Sequence, residues 1–373
     1  MSGMEYKKDE HCFDEFSGYS EKLNKEQILS NIRRFKILST LPYDKISFWY
    51  ENIHSFKSNG STFSMDKRVR GLSEFVYIIK LLSTVARGKF DLVLLTGGEK
   101  VDLVYLAISS LLLRKKIPHF IVCAEWTPKK SKLKAFIQKF YFKLTDRLIE
   151  EVQTISKEEV DIYHNRFGVP KKKLKPIPFS TTLTGYNLKP QKGDFMLTGG
   201  ASYRDYRTFL KAVNEFSLPV EVGIPGGNEN QFMNELKNPL IKFHFNLSRK
   251  EFMQKTADCR FFVLPLQPSL ERAVGDQSIL NAMYFGKIVI ATDSIGPRIY
   301  IRHGFNGFLV PESDPSAWVD IIRHVVSLND EELAEISSNA EYTAKEIFNE
   351  EKKLLKILDS ANAFLEGRSV RSL

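Results

Sequence analysis

Residues 264–310, LPLQPSLERAVGDQSILNAMYFGKIVIATDSIGPRIYIRHGFNGFLV, constrain this chain more than any other stretch. They read as a short apolar strand, a polar loop and a helix opening at Gly275-Asp276-Gln277-Ser278. A second apolar strand and another glycine-bearing loop follow. Continuous apolar runs joined through helices belong to parallel sheets, whose strands are buried on both faces. A helix that begins at the carboxyl end of such a strand presents N–H groups without intrahelical acceptors and the positive end of its dipole. The segment predicts an α/β domain with a seat for an anion such as a diphosphate.

The alternation extends along most of the chain. Strands are predicted at 35–39, 91–95, 119–123 and 147–154, with helices at 25–33, from near Val101, and at 132–142. Residues 170–192 are rich in Pro, Lys and Thr without a period and read as a linker. Beyond them strands are predicted at 195–198, 219–222, 241–245 and 261–264. Helices fall at 206–216, 228–237 and 248–256, and a long, kinked helical segment at 330–366. At 373 residues, two domains are expected: an N-terminal Rossmann-like domain at 1–188, with 1–33 as a peripheral extension, and a C-terminal one at 189–345. Residues 346–373 form a helix returning to the first. The fold class is α/β, two Rossmann-like domains facing a cleft, with ligands at the carboxyl ends of the strands.

The formal charge of +9 points to anionic partners: nucleotides, nucleic acid or an acidic membrane surface. No nucleic-acid module is recognisable, so nucleic acid is not the expected partner, although Lys171-Lys172-Lys173 keeps a nucleic-acid-binding reading as the weakest alternative. Cys12, Cys123 and Cys259 have no metal-like spacing and suggest reduced thiols in a cytoplasmic setting. The N-terminus lacks the apolar core of a secretory signal, and the apolar run at 103–113 is too short to span a bilayer. Between residues 129 and 143, six lysines alternate with Leu133, Phe136, Ile137, Phe140, Tyr141 and Phe142. This pattern fits two structures equally: an interfacial helix on an anionic membrane, or an ordinary helix with its aromatic face in the core.

Several blocks in the second half carry a family resemblance. Phe195 to Gly200 (FMLTGG) forms a strand and glycine turn, Phe262-Val263-Leu264-Pro265 a strand end, and Asn281-Ala282-Met283 with Phe285-Gly286-Lys287 a helix end. His303 to Val310 (HGFNGFLV) closes the series. In this order they resemble the retaining GT-B glycosyltransferases, family 4 (group 1) in particular. The resemblance implies a nucleotide-sugar donor and transfer to a glycan or lipid-linked saccharide. With Arg204 and the helix start at 275–278 able to take a metal's place and no Asp-x-Asp at a strand end, no metal ion or other cofactor is expected. The resemblance places the donor at Gly199, Gly200, Arg204, Gly275, Asp276, Gln277, Ser278 and Asn281. Arg204 stands where the family keeps a diphosphate-binding lysine, and a planar guanidinium suits phosphate oxygens. An arginine paired with Asp205, and a helix capped by Asp276 or Ser278, are the structural readings of the same residues.

Two departures mark a divergent branch. The family's paired glutamates would fall at Ala273 and Asn281, and the N-terminal glycine-rich loop is replaced by Leu41-Pro42-Tyr43. Where the family places a histidine in the first domain stands Ala124-Glu125-Trp126, which makes Glu125 a candidate to face the sugar or acceptor. Glu99, after Gly97-Gly98, is a second candidate. His119 reads as a core residue. A scaffold of this fold that binds a nucleotide sugar or a partner protein without turnover is the alternative to an enzyme.

Overall fold

In the computed structural model, the described residues are 23–43, 46–56, 67–97, 100–113, 116–183, 188–226 and 238–370. Gly98, Glu99 and the helix expected at 228–237 lie outside them. The chain divides into two units: Lys22–Pro178 joined by Glu351–Leu373, and a second built on Phe179–Glu350.

The first unit is a six-stranded parallel sheet in the order β2-β1-β3-β4-β5-β6. Its strands are β1 (Ile37–Ser39), β2 (His54–Ser55), β3 (Leu92–Thr96), β4 (His119–Val122), β5 (Ile149–Thr154) and β6 (Leu174–Pro176). Leu92 and Leu94 pack on one face with α1 (Lys25–Ile32) and α2 (Ser47–Asn52). Val93 and Leu95 pack on the other with α3 (Lys67–Arg87), α4 (Lys100–Leu112), α5 (Lys132–Thr145) and α6 (Glu158–Phe167). Two covered faces explain why the DLVLL run shows no polar alternation.

One segment differs from its expected role. Within the proposed linker, residues 174–176 pair with β5 in register Val152↔Leu174. Leu174 is buried in the core, and Pro176 sits at the end of an edge strand, where a missing N–H leaves no ladder bond unmade. Periodicity cannot reveal a three-residue edge strand.

The second unit repeats the plan in the order β12-β11-β10-β7-β8-β9, again all parallel. The strands are β7 (Met196–Gly199), β8 (Val220–Ile224), β9 (Ile241–Phe245), β10 (Phe261–Leu264), β11 (Ile288–Thr292) and β12 (Gly307–Val310). Its helices are α7 (Tyr206–Val213), α8 (Arg249–Asp258), α9 (Asp276–Tyr284), α10 (Ile295–Tyr300), α11 (Pro315–Ser327) and α12 (Asp330–Tyr342). Local sequence sets several helix starts. Ser248 and Glu251 form a capping box on α8, Asn329 and Glu332 form one on α12, and Asp314 caps α11 with Pro315 at its first position.

The expected kink near the C-terminus is a break. A π-helical turn at Thr343–Ile347 follows α12, and Phe348 leaves helical geometry before α13 (Glu350–Val370) begins. The chain returns to the first unit here, and α13 seats Leu354, Ile357, Leu358 and Ala361 against Ile28, Trp49 and Phe120. Buried polar groups fix its rotation: Ser360 Oγ donates to Glu151 (2.6 Å) and accepts from Lys175 Nζ (2.8 Å).

His119 occupies the core as expected. Nδ1 donates to the Ile117 carbonyl (2.8 Å), so Nε2 accepts from the Tyr105 hydroxyl (3.1 Å). Burial lowers its pKa to about 4, against the opposing pull of that carbonyl. A base neutral in the fold and protonated in the unfolded chain contributes full stability above its unfolded pKa of roughly 6.5, lost as pH falls towards the folded value. Between pH 7 and pH 5 this group is expected to remove roughly 2 kcal/mol of stability. Urea unfolding at the two pH values should show a correspondingly smaller loss in His119→Gln; equal losses would contradict the assignment.

Candidate functional site at the carboxyl edge of the second sheet

In the second sheet, β8 and β9 lie to one side of β7, and β10 to β12 lie to the other. Chain direction switches between β7 and β10, and in open parallel sheets the loops leaving such a pair diverge and open a crevice. Two loops meet at that point. The one after β7 turns at Gly200 (φ +111) and Tyr203 (φ +58). It then runs antiparallel to the loop after β10, through an Arg204↔Leu266 bridge. Asp205 N–H donates to Pro265 O (3.0 Å) and Gln267 N–H to Tyr203 O (2.9 Å).

This pairing delivers Arg204 to the start of α9. Its Nε donates to Gly199 O (2.9 Å), Nη1 to Ser202 O (2.8 Å), and Nη2 reaches Ser278 Oγ (3.4 Å) in the first turn of the helix. Asp205, the alternative partner, caps α7 instead, accepting from Thr208 N–H (3.2 Å) and Thr208 Oγ1 (2.6 Å). Burial lowers the Arg204 pKa, while Tyr206 and Asp276 pull it back up. Because arginine starts far above neutrality, the side chain stays a cation. Gly200 is required beside it, since a Cβ there would lie 2.8 Å from Arg204 Nη2. Gly199 serves packing: a Cβ would come within 2.3 Å of the Phe252 ring.

At α9 the N-cap is Gly275, in left-handed geometry (φ +92) and without a side-chain cap bond, rather than Asp276 or Ser278. A Cβ on Gly275 would stand 2.5 Å from Leu264 Cδ2, so close approach to β10 selects glycine. Gln277 is exposed and Ser278 half-buried, so the first turn opens to solvent. Asp276 is buried and accepts from the Tyr300 hydroxyl (2.9 Å), which itself accepts from Phe179 N–H (3.1 Å). As a carboxylate, Asp276 anchors the helix and balances Arg204; it does not suit direct contact with a phosphate.

Asn281, the donor-site candidate at the place of the family's second glutamate, makes its hydrogen bonds within the protein. Only 1% exposed, its Oδ1 accepts from Thr182 N–H (3.2 Å) and Thr181 Oγ1 (3.3 Å). Thr182 Oγ1 also receives Gln277 Nε2 (2.6 Å) and Arg249 Nη2 (3.3 Å). The segment at 179–182 is thereby laced onto α9. Tyr300, Thr182 and Arg249 were not singled out from sequence, because nothing local marks a tyrosine or threonine distant in the chain as a partner of this helix.

In the first unit, Glu125 is exposed in the loop after β4, between buried Ala124 and Trp126. Trp126 Nε1 donates to Gly97 O (2.9 Å), which ties this loop to the one after β3. Of the two carboxylates proposed there, the structure describes Glu125 alone. Among the described residues, no group of three or more His, Cys, Asp or Glu side chains is arranged to hold a metal ion.

Residues 209–343 match the family model of glycosyl transferases group 1. No curated relative matches the chain by sequence. Solved structures share the fold at low identity. A glycosyltransferase from Rickettsia africae ESF-5 superposes with a TM-score of 0.61 at 13% identity, covering 91% of this chain and 94% of its own. Anabaena HepE in complex with UDP-glucose gives 0.60 at 16% identity, with 93% and 96% covered. The sucrose-phosphate synthase of Thermosynechococcus elongatus gives 0.60 at 13%, with 84% of each chain covered. At these identities the superpositions speak to fold, and the family model to the second unit. Residues 209–343 are thus similar to the glycosyl transferases group 1 model, and the chain as a whole shares the fold of the Rickettsia africae glycosyltransferase and of HepE.

Proposed function

We propose that this chain moves a sugar, with retention of anomeric configuration, from a nucleotide-sugar donor to a glycan or lipid-linked saccharide in the synthesis of a surface polysaccharide or glycoconjugate. It does so without a metal ion, at the cytoplasmic face of a membrane. The observation that carries this reading is the Arg204 guanidinium held beside Ser278 at the open first turn of α9. In the reaction the bond between the anomeric carbon and the diphosphate oxygen breaks, a bond to the acceptor oxygen forms, and the proton of the acceptor hydroxyl passes to the departing diphosphate. Negative charge grows on the departing diphosphate. A fixed cation and the N–H groups of a helix terminus stabilise that charge more in the transition state than in the bound donor. HepE was solved with UDP-glucose, which makes uridine diphosphate the first nucleotide to test.

One observation favours a second reading, a scaffold that binds donor without turnover. Asn281, where the resemblance expects a glutamate, spends its amide inside the protein on residues 181 and 182. Donor hydrolysis and transfer assays separate the two. Saturable nucleotide binding with no turnover for any acceptor would establish the scaffold.

Thermal unfolding against uridine, guanosine, adenosine and cytidine diphosphates tests the donor seat. One nucleotide is expected to stabilise the protein by about 2.7 kcal/mol at a hundredfold excess over its Kd. Arg204→Ala should abolish the shift, and Gly200→Ala should weaken it by displacing the guanidinium. Stabilisation by none of the four, or a shift that survives Arg204→Ala, would remove Arg204 from the site. Turnover is expected to be unchanged by EDTA; activity lost to the chelator and restored by a divalent cation would refute metal independence.

A further inference from the structure

The first unit carries an apolar surface that its own core leaves uncovered. Of the sixteen exposed large apolar side chains among the described residues, eleven come from three consecutive helices, α3, α4 and α5. All three lie on one face of the first sheet, α4 packing between α3 and α5. Helix α5 exposes Leu133 (69%), Phe136 (66%), Ile137 and Phe140 (57%), at i, i+3, i+4 and i+7. Helix α3 exposes Leu72, Phe75, Val76 and Ile79 at the same spacing, while Tyr77, Ile78, Leu81 and Val85 face the sheet. Helix α4 adds Val104, Leu111 and Leu112. A helix normally turns such a stripe inward. Here two parallel stripes face solvent, which is the mark of an interaction surface.

The charge around the surface selects its occupant. Lys129, Lys130, Lys132, Lys134, Lys139 and Lys143 are all exposed on or just before α5, and α5 contains no acidic residue. A second copy paired symmetrically would set these lysines against their own equivalents. Nucleic acid would satisfy the lysines but leave the phenylalanines in water. An anionic bilayer takes both: its headgroups meet the ammonium groups and its acyl boundary takes the aromatic and aliphatic side chains. No helix among the described residues is long and apolar enough to cross a membrane, so the contact lies in the interface plane.

We infer that the outer face of α3, α4 and α5 forms one composite surface that docks on anionic lipid bilayers. The inference deepens the membrane part of the proposed function but requires nothing of the donor seat. Vesicle binding is read without donor or acceptor, so its failure and a failure of glycosyl transfer are separate results.

The test is co-sedimentation of the full chain with vesicles of equimolar phosphatidylglycerol and phosphatidylcholine, and with phosphatidylcholine alone. Binding is expected to the first and not to the second. Phe136→Ser with Phe140→Ser should weaken it by at least about tenfold, because both rings leave the acyl boundary. Lys132→Glu with Lys134→Glu should do the same, and Lys211→Glu, a charge control at an exposed lysine of α7 in the second unit, should not. Each changed side chain is exposed, so thermal unfolding is expected to be unaltered. Wild-type protein remaining in the supernatant, or double variants that bind undiminished, would overturn the inference. So would a concentration-dependent dimer that the Phe136 and Phe140 changes dissolve, without vesicle binding, since the surface would then join copies of the chain.

Discussion

The second unit depends on how one half-buried guanidinium is held. Arg204 is fixed by the carbonyls of Gly199 and Ser202 and touches a hydroxyl at Ser278, so its hydrogen bonds place it without cancelling its charge. The adjacent carboxylate is directed elsewhere, Asp205 into the cap of α7. Asp276 raises the affinity of Arg204 for its proton while keeping a bond to Tyr300. A cation held this way adds to the positive end of the α9 dipole. The surrounding architecture, from the Gly200 turn to the Arg204↔Leu266 bridge, maintains that geometry.

Segments far apart in sequence meet to complete each unit. Helix α13 is the last element of the chain, yet it covers a face of the first sheet together with α1 and α2. Residues 179–182, where the chain enters the second unit, are anchored on α9 by Asn281, Gln277 and Tyr300. The passage between units is thus marked by hydrogen bonds at one end and by the π-helical turn and Phe348 at the other.

Much of this was legible in the residues. Strands 92–96, 196–199 and 261–264 follow from apolar runs of the right length, since a strand buried on both faces needs nothing else. The start of α9 followed from Gly275-Asp276-Gln277-Ser278, although the cap itself fell to glycine because Leu264 leaves no room for a side chain. The helix at 132–145 was legible as amphipathic, but its orientation was not. The same four-residue apolar stripe fits a core or a surface, and only the packing of Phe142 and Thr145 inward shows which way the helix turns. Asn281 illustrates the converse: its position matched a donor-site residue, while its partners, a hundred residues earlier, could not be inferred from local pattern.

By itself the sequence determined the parallel α/β class, the order of most elements, the glycine turns at 199–200 and 275, and the candidacy of Arg204. These depend on local spacing and on backbone conformations that few residues tolerate. Tertiary structure alone decided that Tyr300 links Phe179 to Asp276, that Asn281 faces inward, and that residues 174–176 complete a sheet. It also decided that the aromatic face of α5 is left in the open. Each of these outcomes depends on which distant groups come into contact, and such contacts are set by how the sheets and helices pack rather than by any pattern within a short window of chain.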